Sequence, residues 1–304
     1  MSKDLDEKED KFSTNRKKFL AKGLAAIIIF STVGVGLGCS KQKLNDLKNN
    51  VVDKGKNIVQ KHNDNAIVPG KNIIYASEKY AVNVNDVSKM LNGETKDREK
   101  YVFLTFDDGP STNTDKVLDI LKKENVKATF FVLGERLAEG EAAQNRLKRT
   151  ISEGHAIANH SYTHSLKKLY PNNKIDVDYF MSEFNKTNDL MKEILGKDFN
   201  TRVLRLPGGY NSRVYYKDPM LGKFNKRLEK DSIVSIDWNA LNGDAEGKPY
   251  SVDELINYAK KTSKNKNKIV ILMHDAYGKG KTVEALPEII KYYKDNGYAF
   301  KIMT

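Results

Sequence analysis

The sequence predicts an α/β fold for residues 97–304, with a parallel sheet covered on both faces. Three observations predict it. Short apolar runs recur at 101–106 (YVFLTF), 128–133 (ATFFVL), 156–159 (AIAN), 202–206 (RVLRL), 232–236 (SIVSI), 268–273 (KIVILM) and 298–302 (YAFKI). Helix-like segments separate them, and strands alternating with helices give a parallel sheet. The runs are mostly continuous rather than alternating in polarity, as strands buried on both faces must be. Seven strands in this length suit a barrel or an open doubly wound sheet. No Gly-x-Gly-x-x-Gly follows the first run and no internal repeat is present, which disfavours a dinucleotide-binding fold.

Ahead of this domain, residues 1–18 are polar and end in Arg16-Lys17-Lys18. Residues 23–39 carry no charge, and Phe19 and Leu20 extend the apolar stretch across Lys22. That is the short end for a spanning helix, and the basic flank before it predicts N-in, C-out insertion. We therefore expect a cytoplasmic tail at 1–18 and a transmembrane anchor or lipoprotein signal at 19–39. Cys39 is the single cysteine, so no intramolecular disulfide and no cysteine-rich zinc site exists. Gly36-Leu37-Gly38-Cys39 resembles a bacterial lipoprotein processing site, although Gly36 stands where that site has a larger apolar residue. Either reading places the protein at a bacterial cell membrane, with the rest of the chain outside. Residues 40–96 are rich in Lys, Asn and Asp and predict an extracellular tether, with Ile73 to Tyr75 packing on the domain. The net charge of +12 divides equally between residues 1–96 and the remainder. Nucleic-acid binding wants a concentrated basic stripe on a known module; neither is present, so no nucleic-acid partner is expected.

Within the domain, helices are expected near 114–124, 141–153, 177–195, 220–230, 251–262 and 282–294. Ser251 and Glu254 make a capping box for the fifth. Gly154, Gly196 and Gly297 follow helical segments, where a positive φ is often needed.

In such folds chemistry gathers at the carboxyl ends of the strands. The first run ends in Asp107-Asp108, inside "TFDDGP". Two adjacent carboxylates repel, and Asp-Gly-Pro is also ordinary turn chemistry. The third run ends in "NHSYTH", with His160 and His164. Four apart, they would share a face on one helical turn. Together with Asp108 they make two imidazoles and a carboxylate, a catalytic zinc set that leaves positions for water and substrate. The fourth run leads to Arg205-Leu206-Pro207-Gly208-Gly209-Tyr210, the fifth to Asp237-Trp238-Asn239, and the sixth ends in Leu272-Met273-His274-Asp275. His155 precedes its strand and reads as structural. The loop at 239–249 contains Asp244, to which no role is given.

The motifs TFDDG, HSYTH, RLPGG, DW and LMH stand in this order. In that combination residues 101–304 resemble a polysaccharide deacetylase, the NodB-homology domain of carbohydrate esterase family 4. The resemblance implies a distorted (β/α) barrel with fewer than eight strands. It implies that Asp107 is the catalytic base and that Asp108, His160 and His164 hold one divalent metal ion, Zn²⁺ or else Co²⁺, Mn²⁺ or Ni²⁺. It further implies that Arg205 positions the base, that His274 is the catalytic acid, and that Asp237 orients it. Trp238 and Leu272 would line the acetyl pocket, and the Gly208 N–H would stabilise the oxyanion. Apart from the resemblance, Tyr210, Tyr162 and Tyr277 are read as either stacking on sugar or filling space. Many family members carry an aromatic residue after the motif proline; here Gly208 and Gly209 follow Pro207, which removes a wall of the groove.

The function this implies is metal-dependent removal of N-acetyl groups from a surface glycan. Peptidoglycan N-acetylglucosamine is favoured, because the anchor sets the domain beside the wall. Chitin-type oligomers, an exopolysaccharide, muramic residues and acetylxylan are the alternatives. A non-catalytic wall-binding protein on the same fold would lack some catalytic group, and the family set is complete.

Overall fold

The computed structural model describes residues 63–304. The expected anchor at 19–39 and Cys39 lie outside them, and no helix among the described residues is long and apolar enough to cross a membrane. The strands are β1 (Ala81–Val82), β2 (Tyr101–Gly109), β3 (Ala128–Val132), β4 (Ala156–Asn159), β5 (Val203–Leu204), β6 (Val234–Ser235), β7 (Ala240–Leu241), β8 (Lys268–His274), β9 (Ala299–Phe300) and β10 (Ile302–Met303). Seven of them form one parallel sheet in the order β6–β5–β4–β3–β2–β8–β7. The two ends of this path, β6 and β7, do not pair. The sheet is therefore a curled half-barrel, as expected of a barrel with fewer than eight strands. Every expected apolar run holds a strand. The last run splits into β9 and β10, and β7 lies in what the sequence presents as a loop.

The helices are α1 (Val84–Leu91), α2 (Thr112–Lys123), α3 (Gly134–Leu137), α4 (Glu141–Ser152), α5 (Leu166–Leu169), α6 (Val177–Leu195), α7 (Tyr210–Tyr215), α8 (Leu221–Lys230), α9 (Val252–Ser263) and α10 (Gly280–Asp295). The capping box of α9 forms as expected, with the Glu254 N–H donating to the Ser251 hydroxyl and the Ser251 N–H to the Glu254 carboxylate. Gly154, Gly196 and Gly297 all take positive φ.

Strand β2 divides two cores by its period of two. Val102, Leu104 and Phe106 face the outer helices, packed with Val117, Leu118 and Leu121 of α2 and Ile289 and Ile290 of α10. Phe103 faces the concave side with Phe131, Val203 and Val270. A curled sheet with an open side would leave these residues wet. Helix α1 covers them, burying Val84 and Val87 against that cluster with Met303.

Helix α1 lies in the stretch expected to be tether, and that boundary is corrected here. Residues 63–96 belong to the same compact unit as the sheet. Ile73 and Ile74 are buried, β1 pairs with β10, and the Asn72 amide donates to the carbonyls of Ile157 and Met303 at 2.9 and 3.0 Å. The Lys- and Asn-rich composition misleads because those side chains face outward while a few apolar ones carry the packing.

Candidate active site

In a regular strand Asp107 and Asp108 would point to opposite faces. They do not, because β2 is irregular at this place. Asp108 has a φ of 71°, and the pairing register with β3 shifts between Asp107 and Gly109. Such a bulge re-aims a side chain. Both carboxylates therefore meet the same histidine: His160 Nε2 lies 3.7 Å from Asp107 Oδ2 and 3.4 Å from Asp108 Oδ1.

His160 and His164 do not share a helical face, and that expectation is corrected. The segment between β4 and α5 is a loop in which Ser161 and His164 have φ of 72° and 54°. Its shape is set by Glu183 of α6, which accepts the N–H groups of Tyr162 and Thr163 at 3.1 and 3.0 Å and the Thr163 hydroxyl at 2.7 Å. The His164 N–H donates to the Ser161 hydroxyl. The result still brings His164 Nε2 to 3.6 Å from Asp108 Oδ1. His160 Nδ1 sits 2.8 Å from the Arg205 carbonyl. A carbonyl only accepts, so Nδ1 carries the proton and Nε2 presents its lone pair to Asp108.

These three residues fit a metal ion. Their ligand atoms lie within 4.8 Å of one another. Asp108 Oδ1 is buried and has no hydrogen-bond partner, which is costly for a carboxylate unless a cation takes its place. Burial pushes the Asp108 carboxyl up, but the imidazoles of His160, His164 and His274 and the Lys279 ammonium outweigh it and hold it below its usual range. The donor set of two imidazole nitrogens and one carboxylate suits zinc and its first-row neighbours.

Arg205 is fully buried. Its guanidinium donates to Asp107 Oδ1 and to the Thr105 hydroxyl, both at 2.8 Å, to the Ile236 carbonyl at 3.1 Å and to the Asp237 carbonyl at 3.3 Å. It lies 4.0 Å above the Phe131 ring. An unpaired guanidinium here would be prohibitive; these contacts satisfy it and fix one oxygen of Asp107.

The assignment of Asp237 as the partner of His274 is corrected. Asp237 accepts the N–H groups of Tyr210 and Asn211 at 2.8 Å each, tying down the start of α7. The partner of His274 is Asp244, whose Oδ1 is 2.8 Å from His274 Nδ1 and whose Oδ2 accepts the His274 N–H at 2.9 Å. Thr282 donates to Asp244 as well. Burial pulls the His274 pKa down, but the Asp244 hydrogen bond and the charges of Asp244, Asp107 and Asp108 raise it to about 9. Asp244 itself is pushed up by burial and brought below its usual range by His274, Thr282 and Lys279. With Nδ1–H directed at Asp244, His274 Nε2 faces the site, 4.0 Å from Asp108 Oδ2.

The remaining expected residues flank this centre. Leu272 precedes His274 by one inward position on β8 and is buried. Trp238 lies under Gly209, where an added Cβ would come within 3.0 Å of the indole and φ is already 82°. The Gly208 N–H has no partner among the described residues. A Cβ at Gly208 would meet only Leu166 and Ser212, at 3.9 Å, so the wall is open there. Tyr210 is held by Asn225, whose amide donates to its hydroxyl at 2.8 Å. His155 is structural as expected: it is buried, its Nδ1 accepts the Ala128 N–H at 3.1 Å, and burial with the nearby Lys127 and Arg149 lowers its pKa to about 3.

Three residues at the site have no role in the sequence reading: Asp244 and Asp275, which stand in or beside the motif stretches, and Glu183. Asp275 is buried, its N–H donates to the Asp107 carbonyl, and Thr114 donates to its carboxylate. Burial, with Asp108 and Asp107 nearby, raises it to about 7 against the Thr114 bond. The available signal for Asp244 was its Gly-Asp turn next to the site; Glu183 carried none, being one acid among many on a helix.

Comparison with known proteins agrees with these motifs. The family model described as polysaccharide deacetylase matches residues 94–219. A peptidoglycan-N-acetylglucosamine deacetylase of Bacillus cereus is 32% identical over 246 residues, covering 78% of this chain and 81% of that protein. A peptidoglycan-N-acetylmuramic acid deacetylase of Bacillus subtilis is 34% identical, covering 69% of this chain and 71% of that protein. Among solved structures, a family 4 carbohydrate esterase of Streptococcus mutans superposes with a TM-score of 0.73 at 38% identity, covering 80% of this chain and 100% of that one. This family is metal-dependent. With its half-barrel sheet and its ordered Asp-Asp, His-x-x-x-His and Leu-x-His motifs, the chain belongs to the polysaccharide deacetylases of carbohydrate esterase family 4, hydrolases of N-acetyl groups.

Proposed function

We propose that this protein removes N-acetyl groups from N-acetylglucosamine of peptidoglycan, releasing acetate, with one zinc ion held by Asp108, His160 and His164. The observation that carries the reading is the buried, unpartnered Asp108 oxygen between two imidazole nitrogens, beside a second carboxylate already held by Arg205. A divalent ion there supplies the Lewis acidity that an amide carbonyl needs.

The chain's own groups divide the remaining work. Arg205 holds Oδ1 of Asp107, which leaves Oδ2 to take the proton of the attacking water. The Gly208 N–H, free of internal partners, donates to the developing oxyanion. An amine leaves badly unless protonated. His274, oriented by Asp244 and kept in its acid form near neutral pH, delivers that proton from Nε2. Trp238 and Leu272 wall the acetyl methyl, and Asp237 serves indirectly, by fixing the α7 start beside Trp238.

The glucosamine preference is supported by the Bacillus cereus relative's name, and the Bacillus subtilis relative's name keeps muramic residues as the second candidate. Residues 19–39 as a membrane anchor, with the catalytic domain outside the cell, complete the proposal and rest on the uncharged stretch after Arg16-Lys17-Lys18. The test is acetate release by the zinc-loaded full chain from peptidoglycan, N-acetylglucosamine oligomers, muramic-containing fragments and acetylated xylan in parallel. Acetate from glucosamine amides, absent in Asp107→Asn, is expected. Acetate from xylan esters alone would overturn the amide reading, and acetate from muramic residues alone the glucosamine preference.

A further inference from the structure

The open side of the half-barrel contains a cavity of about 830 Å³ between α1 and the β6–α8 unit. It exists because β6 pairs with β5 alone and the sheet does not close onto β7. The Val234 and Ile236 N–H groups go to β5, so strand alternation turns the Ser235 N–H and carbonyl toward the cavity. The Ser235 hydroxyl is buried and has no partner. On the facing walls the side-chain amides of Asn85 in α1 and Asn211 in α7 also lack hydrogen-bond partners among the described residues. Asp237, Trp238 and Tyr210 also line the cavity, so it shares Trp238 with the site described above.

Its chemistry is selective. The chain carries 52 Lys and Arg residues, yet no Lys, Arg or His lines this cavity, while Glu229 and Asp237 do. An anionic ligand finds no counter-charge there and meets two carboxylates. Free amides and hydroxyls with an indole at one end are what an uncharged, polyhydroxylated ring needs: hydrogen bonds at its edges and an apolar face to stack upon.

We propose that this cleft is an accessory glycan subsite, holding uncharged hexosamine rings of the strand whose neighbouring residue is being deacetylated. The proposal rests on the deacetylase reading above and adds a specificity element, α1, from outside the 94–219 segment matched by the family model. Substrate length is then sensed by a helix that also completes the core.

The experiment has two arms, both on the full zinc-loaded chain. In the first, Asn85→Ala/Asn211→Ala is compared with the unsubstituted protein for acetate release from the β-1,4-linked N-acetylglucosamine dimer and hexamer. Both asparagines are exposed, so the fold should survive. A loss of about tenfold in kcat/KM on the hexamer, with the dimer unchanged, is expected. Equal change on both, or none on either, would overturn the subsite. In the second arm, hexamer affinity is measured by calorimetry on Asp107→Asn with and without the two substitutions, and on Asp107→Asn/Asn85→Trp, which fills the cleft with bulk. Weakening of about tenfold is expected for both cleft variants; unchanged affinity, or no hexamer binding at all, overturns the proposal. Absence of acetate from any oligomer would count against the deacetylase reading on this glycan, while the binding arm still decides the cleft.

Discussion

The centre of the sheet and its β5–β6–β7 flank build the site in different ways. At the centre, β2, β3, β4 and β8 run for four to nine residues, and β2 pairs with β8 without a break from Tyr101 to Asp107, while its register with β3 shifts only at the Asp108 bulge. Asp107, Asp108, His160 and His274 stand directly at those strand ends. On the flank the strands are two residues long. There Asp237 and Asp244 reach their places through loops, and one carboxylate fixes backbone N–H groups while the other fixes an imidazole. The groups proposed to react therefore stand at the ends of the longer ladders, with Asp108 re-aimed by its bulge, whereas the carboxylates proposed to orient their neighbours are placed by local hydrogen bonds.

This contrast can be broken in order of effect. At the centre, Asp107→Asn keeps its bond to Arg205 and loses only the base; turnover should fall by about 10³ to 10⁴, with the melting temperature nearly unchanged. On the flank, Asp244→Asn should cost about 10² in kcat, in the range set by losing an orienting partner of a catalytic group. It should also move the pH profile. In the proposed role His274 acts protonated, and its pKa of about 9 depends on Asp244; the alkaline limb should therefore shift to lower pH. Asp237→Asn should leave that limb in place and instead raise KM, since it loosens α7 beside Trp238. If Asp237→Asn shifted the limb and Asp244→Asn did not, the assignment would be reversed. Gly209→Ala should follow with a loss of about 1–2 kcal/mol of stability from its left-handed backbone, along with displacement of Trp238.

A further expected effect lies outside the site and leaves the chemistry untouched. His155 is neutral in the fold, with a pKa near 3 against 6.5 unfolded. Between those values the unfolded chain binds a proton that the native chain does not. Stability should thus be complete above pH 6.5 and decline as pH falls toward 3, by up to about 1.4 kcal/mol per pH unit. Denaturant titrations at pH 7 and pH 5 check this, and His155→Gln should flatten the decline even as it lowers stability at pH 7.

How much was legible in the sequence follows the same division. Long apolar runs and strand-end motifs identified the central strands, Asp107, Asp108, the histidine pair and Arg205. The bulge at Asp108 was not legible, because a positive φ at an aspartate leaves no pattern; nor was the loop shape of 160–164, where spacing alone suggested a helical turn. Asp244 was passed over in favour of Asp237 because the resemblance placed the carboxylate next to the tryptophan, and distance through space is not encoded by distance along a loop. The segment 63–96 read as tether because two-residue strands and one short helix bury too few side chains to shift its composition.

The most direct test is metal binding and turnover measured together on three full-length proteins: unsubstituted, Asp107→Asn and Asp108→Ala. One zinc ion per chain is expected in the first two, acetate release only in the first, and neither tight zinc binding nor activity in Asp108→Ala. Retention of tight zinc and turnover by Asp108→Ala, or undiminished activity in Asp107→Asn, would contradict it.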